Sequence, residues 1–294
     1  MPTADDITSI AVLGAGQMGG GIAQVAATAG IDAVCYDLHQ PSLDKAKALH
    51  EKLMARAVEK GRMERGDADA ALARIAYTTN WDDIAGAGWV VEAATERADL
   101  KHELFRKLAE TFADESVVLA TNTSSISITQ IAAAAESGRA GAGSRVIGMH
   151  FFNPVPVMKL VEVIKGLATT DEVTQRTIDL SVRMGKEPHA ANDRAGFVSN
   201  RVLMPMINEA FYAWMEGVAA PEDIDAIMTK GMAHPMGPLR LADFIGLDTC
   251  VAIMDVLAEG LNNDRYRACP LLKQLVTAGR LGNKTGRGVF DYGV

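Results

Sequence analysis

His150 and Glu162 are the residues whose types and spacing point most directly to chemistry. In "GMHFFNPVPVMKLVEV", residues 148–163, a histidine sits among apolar neighbours, and a lone glutamate interrupts an apolar run twelve positions later. Histidine titrates near neutral pH, so it can take a proton from an alcohol and return it. A carboxylate on its second ring nitrogen fixes the tautomer and stabilises the imidazolium as it forms. For the two to meet, "HFFNP" must leave a sheet, the proline-containing segment must reverse the chain, and "KLVEVI" must come back as the neighbouring strand. Taken singly, each has a plainer explanation: a hydrogen-bonded core histidine, and a solvent-facing glutamate on an edge strand.

A second constellation says what the base would work with. "SIAVLGAGQMGGGIAQVAATAG" passes from a β-branched strand through Gly14 and Gly16 into a small-residue helix at Gly19, with Gln17 and Met18 between. This is G-x-G-x-x-G in its strand-turn-helix setting. The first glycine permits the tight turn, the second lets backbone approach a pyrophosphate, the third lets helix and strand pack, and the helix N-terminus offers unpaired N–H groups to the anion. A plain glycine turn would not be followed by a second strand, "DAVCYD", ending in Asp37 about twenty residues on. An acidic side chain there accepts from the adenosine ribose and repels a 2′-phosphate, and no arginine follows it, so NAD is expected rather than NADP.

A bound nicotinamide implies hydride transfer, and oxidising an alcohol that way also needs a base for the hydroxyl proton. None of the five tyrosines begins a Y-x-x-x-K, and no Cys/His spacing supports zinc, so a histidine mechanism without metal leads.

The elements that must position these groups are legible as apolar runs. "RIAYT", "WVVEAA", "VVLATN", "RVIGMH" and "LVEVI" alternate with helical stretches, which implies an α/β fold with a mainly parallel, doubly wound Rossmann-type sheet. Ligands of such sheets gather at the carboxyl ends of the strands, where Glu96, Asn122, Ser124 and His150 interrupt the apolar pattern. Between Pro41 and Gly66 a helical segment sets Lys45, Lys52, Arg56 and Lys60 beside an apolar stripe of Ala46, Leu49, Leu53 and Ala57. A solvated face and a handle for a phosphate-rich substrate both remain open for that basic ridge. Near residue 190 the strand-helix rhythm stops. The expected organisation is a NAD-binding domain over 1–189 and an all-α substrate and dimerisation domain over 190–294, with Pro221 opening one helix and Gly231 closing it. Apolar-rich "RVLMPMINEAFYAWM" and "LDTCVAIMDVLAEGL" would leave a large patch exposed, which points to a homodimer.

Composition bounds the rest. A chain of 294 residues that is 48% hydrophobic builds a sizeable core and excludes disordered and fibrous classes. Its net charge of -8 speaks against wholesale nucleic-acid binding, so any anionic ligand must meet a local basic patch. Apolar runs break well before the length of a membrane span, the first residues are acidic, and three dispersed cysteines suit a reducing cytoplasm.

At this point the residues match a known family. "GAGQMGGGIAQVAA", "VVEAATE", "ATNTSSISIT", "GMHFFNPVPVMKLVEVI", "GFVSNR" and "HPMGPLRLADFIGLDT" resemble the 3-hydroxyacyl-CoA dehydrogenases over essentially the whole length, in particular the short bacterial group acting on 3-hydroxybutyryl-CoA. The resemblance implies an acyl-CoA substrate, His150 as base with Glu162 as partner, and Ser124 and Asn200 holding the substrate's 3-oxygen. It further implies that Asp37, Glu96, Lys101, Ser124 and Asn153 contact NAD, with Asn122 beside them, and that Lys60 and Lys52 are candidates for the CoA handle. It implies an N-terminal Rossmann domain and a dimerising helical domain. A 3-hydroxyadipyl-CoA or longer-chain substrate would share every residue named. A β-hydroxyacid dehydrogenase with a lysine base would leave the "HFFNP" to Glu162 unit unexplained, and a non-catalytic crystallin-like relative would have no need of the four catalytic candidates.

Overall fold

Alternating β-branched runs and small-residue helices produce a single sheet of eight strands in the computed structural model, which describes residues 6–293. In chain order β1 (Ser9–Leu13), β2 (Asp32–Tyr36), β3 (Ile75–Thr78), β4 (Trp89–Glu92), β5 (Val118–Thr121), β6 (Val146–Phe151), β7 (Leu160–Lys165) and β8 (Glu187–Asn192) lie side by side as β3-β2-β1-β4-β5-β6-β7-β8. The strands β1 to β6 pair in parallel through crossover connections, and β4, β5 and β6 in the middle of the sheet are buried throughout. The order reverses between β2-β1 and β4-β5, the position where a doubly wound sheet opens a crevice. Only the β6–β7 pair among the described strands is antiparallel, and it joins His150 to Glu162.

The helices of this unit are α1 (Gln17–Thr28), α2 (Gln40–Glu59), α3 (Arg65–Ala73), α4 (Ala98–Thr111), α5 (Ile128–Gly138) and α6 (Asp171–Arg183). Helix α2 departs from the sequence pattern in two ways. Its buried side chains are Leu43, Ala46, His50 and Met54, so the packed stripe is rotated from the expected Ala46-Leu49-Leu53-Ala57, and Leu49 is exposed. Buried His50 explains the rotation: its ring bonds Tyr77 Oη at 2.7 Å and the Gly20 carbonyl at 2.9 Å, a polar pair that an apolar-periodicity argument passes over. The helix also stops at Glu59. Gly61 takes a left-handed φ of 64°, Arg62 N–H donates to the Ala57 carbonyl and Gly61 N–H to that of Val58, which closes α2 with a Schellman turn.

Strand β8 straddles the expected domain boundary, in a stretch where the strand-helix rhythm was expected to have stopped. Its sequence, "EPHAAN", is largely exposed and carries a proline, features of an edge strand that paired residues on β7 complete from one side only. The first compact unit therefore continues to Asp193, past the boundary expected at residue 189, and the second spans Arg194–Val294.

The second unit is helical: α7 (Ser199–Met215), α8 (Pro221–Gly231), α9 (Pro238–Ile245), α10 (Leu247–Gly260) and α11 (Pro270–Thr277). Phe211, Leu239, Leu247, Leu257 and Leu272 fill its core. Two buried carboxylates organise it. Asp225 accepts from Leu239 N–H and Arg240 N–H at the start of α9, and Asp243 accepts from Val289 N–H, Phe290 N–H and the Tyr292 hydroxyl, tying down the C-terminal residues.

Candidate active site

His150 is the next-to-last residue of β6 and Glu162 the third of β7, and the antiparallel register sets them directly opposite. Opposed residues of an antiparallel pair bring their Cβ atoms within about 5 Å, close enough for side chains to meet without spanning a gap. His150 Nδ1 and Glu162 Oε2 are 2.8 Å apart, with the two residues only 8% and 4% exposed. A buried carboxylate can only accept, so Nδ1 carries the donated proton and Nε2 is the ring position that takes or gives one in a reaction. Phe152 packs against the imidazole at 4.6 Å between ring centroids, which further limits its rotation. Gly148 makes the register possible: a Cβ there would lie 2.7 Å from that of its opposite number, Ile164. A glycine inside a strand is the sequence signal of such close approach.

The segment between β6 and β7 is held from below. Buried Lys186 donates to the Val155 carbonyl and, at 2.9 Å, to the Met158 carbonyl, and its burial pushes its ammonium below the ordinary lysine range. Gly21 of α1 meets the same segment, since a Cβ on it would lie 2.7 Å from that of Val155. The helix of the glycine-rich turn and the loop following the histidine are thus packed together.

That turn is shaped by the absence of side chains. A Cβ on Gly14, at φ 100°, would lie 2.6 Å from the Ala93 carbonyl oxygen, and one on Gly19 would lie 1.8 Å from that of Gly14. In front of Gly16 there is open space within 4 Å, and as N-cap of α1 it contributes no side-chain capping bond, so the first N–H groups of the helix are left to an anion. Gln17 and Met18 follow in the first turn of α1. Asp37, just past β2, accepts from Ala15 N–H at 2.8 Å and from His39 N–H at 2.9 Å, holding the turn against β2. Gly14 and Asp37 line one cavity of about 550 Å³. The cradle, the helix end and the carboxylate fit a dinucleotide.

Between these two regions the ends of β4 and β5 form a polar network. Glu96 Oε1 accepts five hydrogen bonds, from the Thr123 hydroxyl, from Ser124 N–H and hydroxyl, and from Ser125 N–H and hydroxyl, at 2.7–3.1 Å. Behind it, Lys101 is paired with Glu92, both essentially sealed from solvent at 1% and 0% exposure, and the Thr121 hydroxyl donates to the same carboxylate. Lys101 also lies 4.0 Å from Glu96, whose side chain is partly exposed. Asn122 accepts from Phe151 N–H at 2.8 Å, tying the end of β5 to the strand of His150. Asn153 is exposed three residues beyond His150, and Asn200 is buried in the first turn of α7, in the second unit.

Of the two lysines singled out for a phosphate handle, Lys60 lines a cavity of about 740 Å³ and Lys52 does not. The Schellman turn brings Arg62 to the same cavity, with Arg56, Arg183 and Lys186, and the described lining residues include no carboxylate. On a chain of net charge -8 this is a local basic concavity. Pro154, Pro156 and Val157 form part of its wall, so it adjoins the segment that follows His150.

Comparison with known proteins agrees with these features. Residues 9–194 match the family model described as 3-hydroxyacyl-CoA dehydrogenase, NAD binding domain, and residues 196–292 match the 3-hydroxyacyl-CoA dehydrogenase C-terminal domain. The chain is 52% identical to a probable 3-hydroxybutyryl-CoA dehydrogenase of Deinococcus radiodurans over 96% of this chain and 99% of that one. It is 42% identical to the 3-hydroxyadipyl-CoA dehydrogenase of Escherichia coli over 98% of this chain and 59% of that one. The crystal structure of (S)-3-hydroxybutyryl-CoA dehydrogenase from Ralstonia eutropha superposes with a TM-score of 0.94 at 45% identity, covering 98% of this chain and 100% of that one.

Proposed function

The chain belongs to the 3-hydroxyacyl-CoA dehydrogenase family, and from that premise we propose that it interconverts (S)-3-hydroxybutyryl-CoA and acetoacetyl-CoA with NAD. The observation that supports this most strongly is the buried His150–Glu162 pair at the carboxyl end of the sheet, a base with a fixed tautomer where a doubly wound sheet presents its ligands. His150 Nε2 takes the proton of the substrate's 3-hydroxyl, and Glu162 stabilises the imidazolium that results. In the reverse direction the imidazolium returns the proton to the 3-oxo oxygen. Bound NAD would supply the acceptor for the hydride leaving C3. Ser124 and Asn200 hold the oxygen on which charge develops. The pyrophosphate would lie on the turn of Gly14, Gly16, Gln17, Met18 and Gly19, the adenosine ribose on Asp37, and the nicotinamide half near Glu96, Asn122, Ser124 and Asn153, with Lys101 acting from behind.

The phosphates of CoA find their counterpart in the basic cavity of Lys60, Arg56 and Arg62, and Lys52 is set aside because it lies outside that lining. The four-carbon acyl group rests on relatives named for it. 3-Hydroxyadipyl-CoA is the second reading, because the relative from Escherichia coli is named for it. Dimerisation through the helical unit is supported by the large apolar side chains it exposes, Val202, Val218 and Phe244 among them, and a monomeric mass at micromolar concentration would end that part of the proposal. A cytoplasmic setting suits three buried, unpaired thiols, and no helix among the described residues is long and apolar enough to cross a membrane.

The test is the loss of nicotinamide absorbance when the protein meets acetoacetyl-CoA, with NADH and NADPH in parallel and free acetoacetate as control. Rapid NADH oxidation with the thioester alone is expected. Turnover confined to 3-oxoadipyl-CoA would transfer the proposal to that substrate, and none with any 3-oxoacyl-CoA would reject it.

A further inference from the structure

The segment that joins β6 to β7, residues 152–159, leaves just after His150 and returns just before Glu162, so its course bears on how the two meet. Apolar burial secures only part of it. Val155 is buried against Gly21, but Val157 stands 72% exposed and Met158 is exposed as well. Hydrogen bonds hold the outer part: Val157 N–H and Met158 N–H donate to the Pro154 carbonyl, and Lys186 donates to the carbonyls of Val155 and Met158.

Lys186 does this at a cost that the protein leaves uncompensated. It is 7% exposed, its hydrogen-bond partners among the described residues are those two carbonyls, and no aspartate or glutamate lines the cavity beside it. An ammonium has three donors, so one donor and the whole positive charge are left over, whereas buried charges are ordinarily paired. The cavity that Lys186 lines with Arg56, Lys60 and Arg62 is walled in part by Pro154, Pro156 and Val157 of the segment itself. Resting on the assignment of the CoA phosphates to this cavity, we infer that Lys186 is a positioning residue through which those phosphates order the segment between His150 and Glu162. The bound anion supplies the missing counter-charge and takes the spare donor, which fixes the ammonium and with it the Val155 and Met158 carbonyls. The non-reacting end of the substrate thus improves the placement of the base, the way in which remote binding energy raises kcat and does not merely lower KM.

The probe is acetoacetyl-pantetheine, which keeps the reacting end of the substrate and lacks every phosphate. In wild type its kcat with NADH should lie about tenfold to a hundredfold below that of acetoacetyl-CoA, the scale on which a small misplacement of a catalytic group slows a reaction. Adenosine 3′,5′-bisphosphate added to the same assay should raise it. Lys186→Met keeps an unbranched stem and removes the charge, so in that variant the two thioesters should differ in kcat by no more than about threefold, and the bisphosphate should have no effect. A wild type with equal kcat on the two thioesters overturns the inference, and so does a Lys186→Met variant that raises KM yet keeps the wild-type ratio of kcat values. If Lys186→Met does not fold, amide exchange in wild type decides: saturating adenosine 3′,5′-bisphosphate should slow exchange at Val157 and Met158, and unchanged rates overturn the inference. Failure of the dehydrogenase reading is a different result, in which wild type oxidises NADH with neither thioester, and the exchange measurement then decides the role of Lys186 alone.

Discussion

The two ends of the crevice are built by opposite means. Around Gly14, Gly16 and Gly19 the site is made of missing atoms: backbone approaches backbone because no Cβ intervenes, and the ligand meets N–H groups of α1. Around His150 and Glu162 it is made of side chains, and their meeting depends on the register of one antiparallel pair in an otherwise parallel neighbourhood. A site of the first kind fails when an atom is added, and one of the second kind fails when a functional group is removed.

The largest effect should come from removing the base. His150→Gln is expected to lower kcat by about 10²–10⁴-fold, the usual contribution of a positioned general base, while calorimetry shows NADH bound as in wild type. Near-normal turnover would dissolve the distinction between the two ends. Glu162→Gln keeps an acceptor for Nδ1 and loses only the charge. A hydrogen bond to a charged group contributes about 1.5–3 kcal/mol, so kcat should fall by about one to two powers of ten.

Additions at the glycine end sharpen the contrast next. Gly19→Ala forces a methyl against the Gly14 carbonyl and should lower both NADH affinity, by about tenfold or more, and the melting temperature, by about 3–10 °C, as overpacking by roughly 1–3 kcal/mol does in a protein of this size. Gly16→Ala has open space before it and should lose NADH affinity with an unchanged melting temperature. If both variants melted alike, the claim that Gly19 serves the fold and Gly16 the ligand would fall.

Glu96 lies between the two regimes, a side chain whose partners are largely one loop. Charge-assisted hydrogen bonds are roughly twice as strong as neutral ones, so Glu96→Gln should loosen residues 123–125 without releasing them. Faster amide exchange at Ser124 and Ser125, with kcat reduced by about threefold to tenfold, is the expected result.

The smallest effect concerns the support behind α1. Burial holds the His50 imidazole below the ordinary histidine range, outweighing its bond to the Gly20 carbonyl. Because the folded value lies below the unfolded one, the unfolded chain takes up the proton first as pH falls through about 6.5, and stability declines from there. The slope of melting temperature against pH between 7.5 and 5.5 should be shallower in His50→Gln than in wild type, and equal slopes would remove His50 from that role.

The same contrast explains what the sequence revealed. Glycine spacing and Asp37 are local signals, and the His150–Glu162 meeting needed only two apolar runs and a reversal between them. The five bonds to Glu96 come from residues 27–29 positions away, and no local pattern announces that convergence. β8 was hidden because an edge strand needs neither continuous apolarity nor every N–H, so "EPHAAN" reads as loop. In α2 the stripe was misplaced because His50 is buried through hydrogen bonds and periodicity counts only apolar residues.

The sealed pair of Lys101 and Glu92 restricts how this chain can change. Losing either partner strands the other charge away from water at about 3–5 kcal/mol, a large share of the roughly 5–15 kcal/mol that holds an ordinary domain folded, whereas exchanging both for apolar residues of similar volume is often neutral. Stepwise substitution is therefore blocked at each position while the double replacement stays open, and the two residues move through sequence space as one unit.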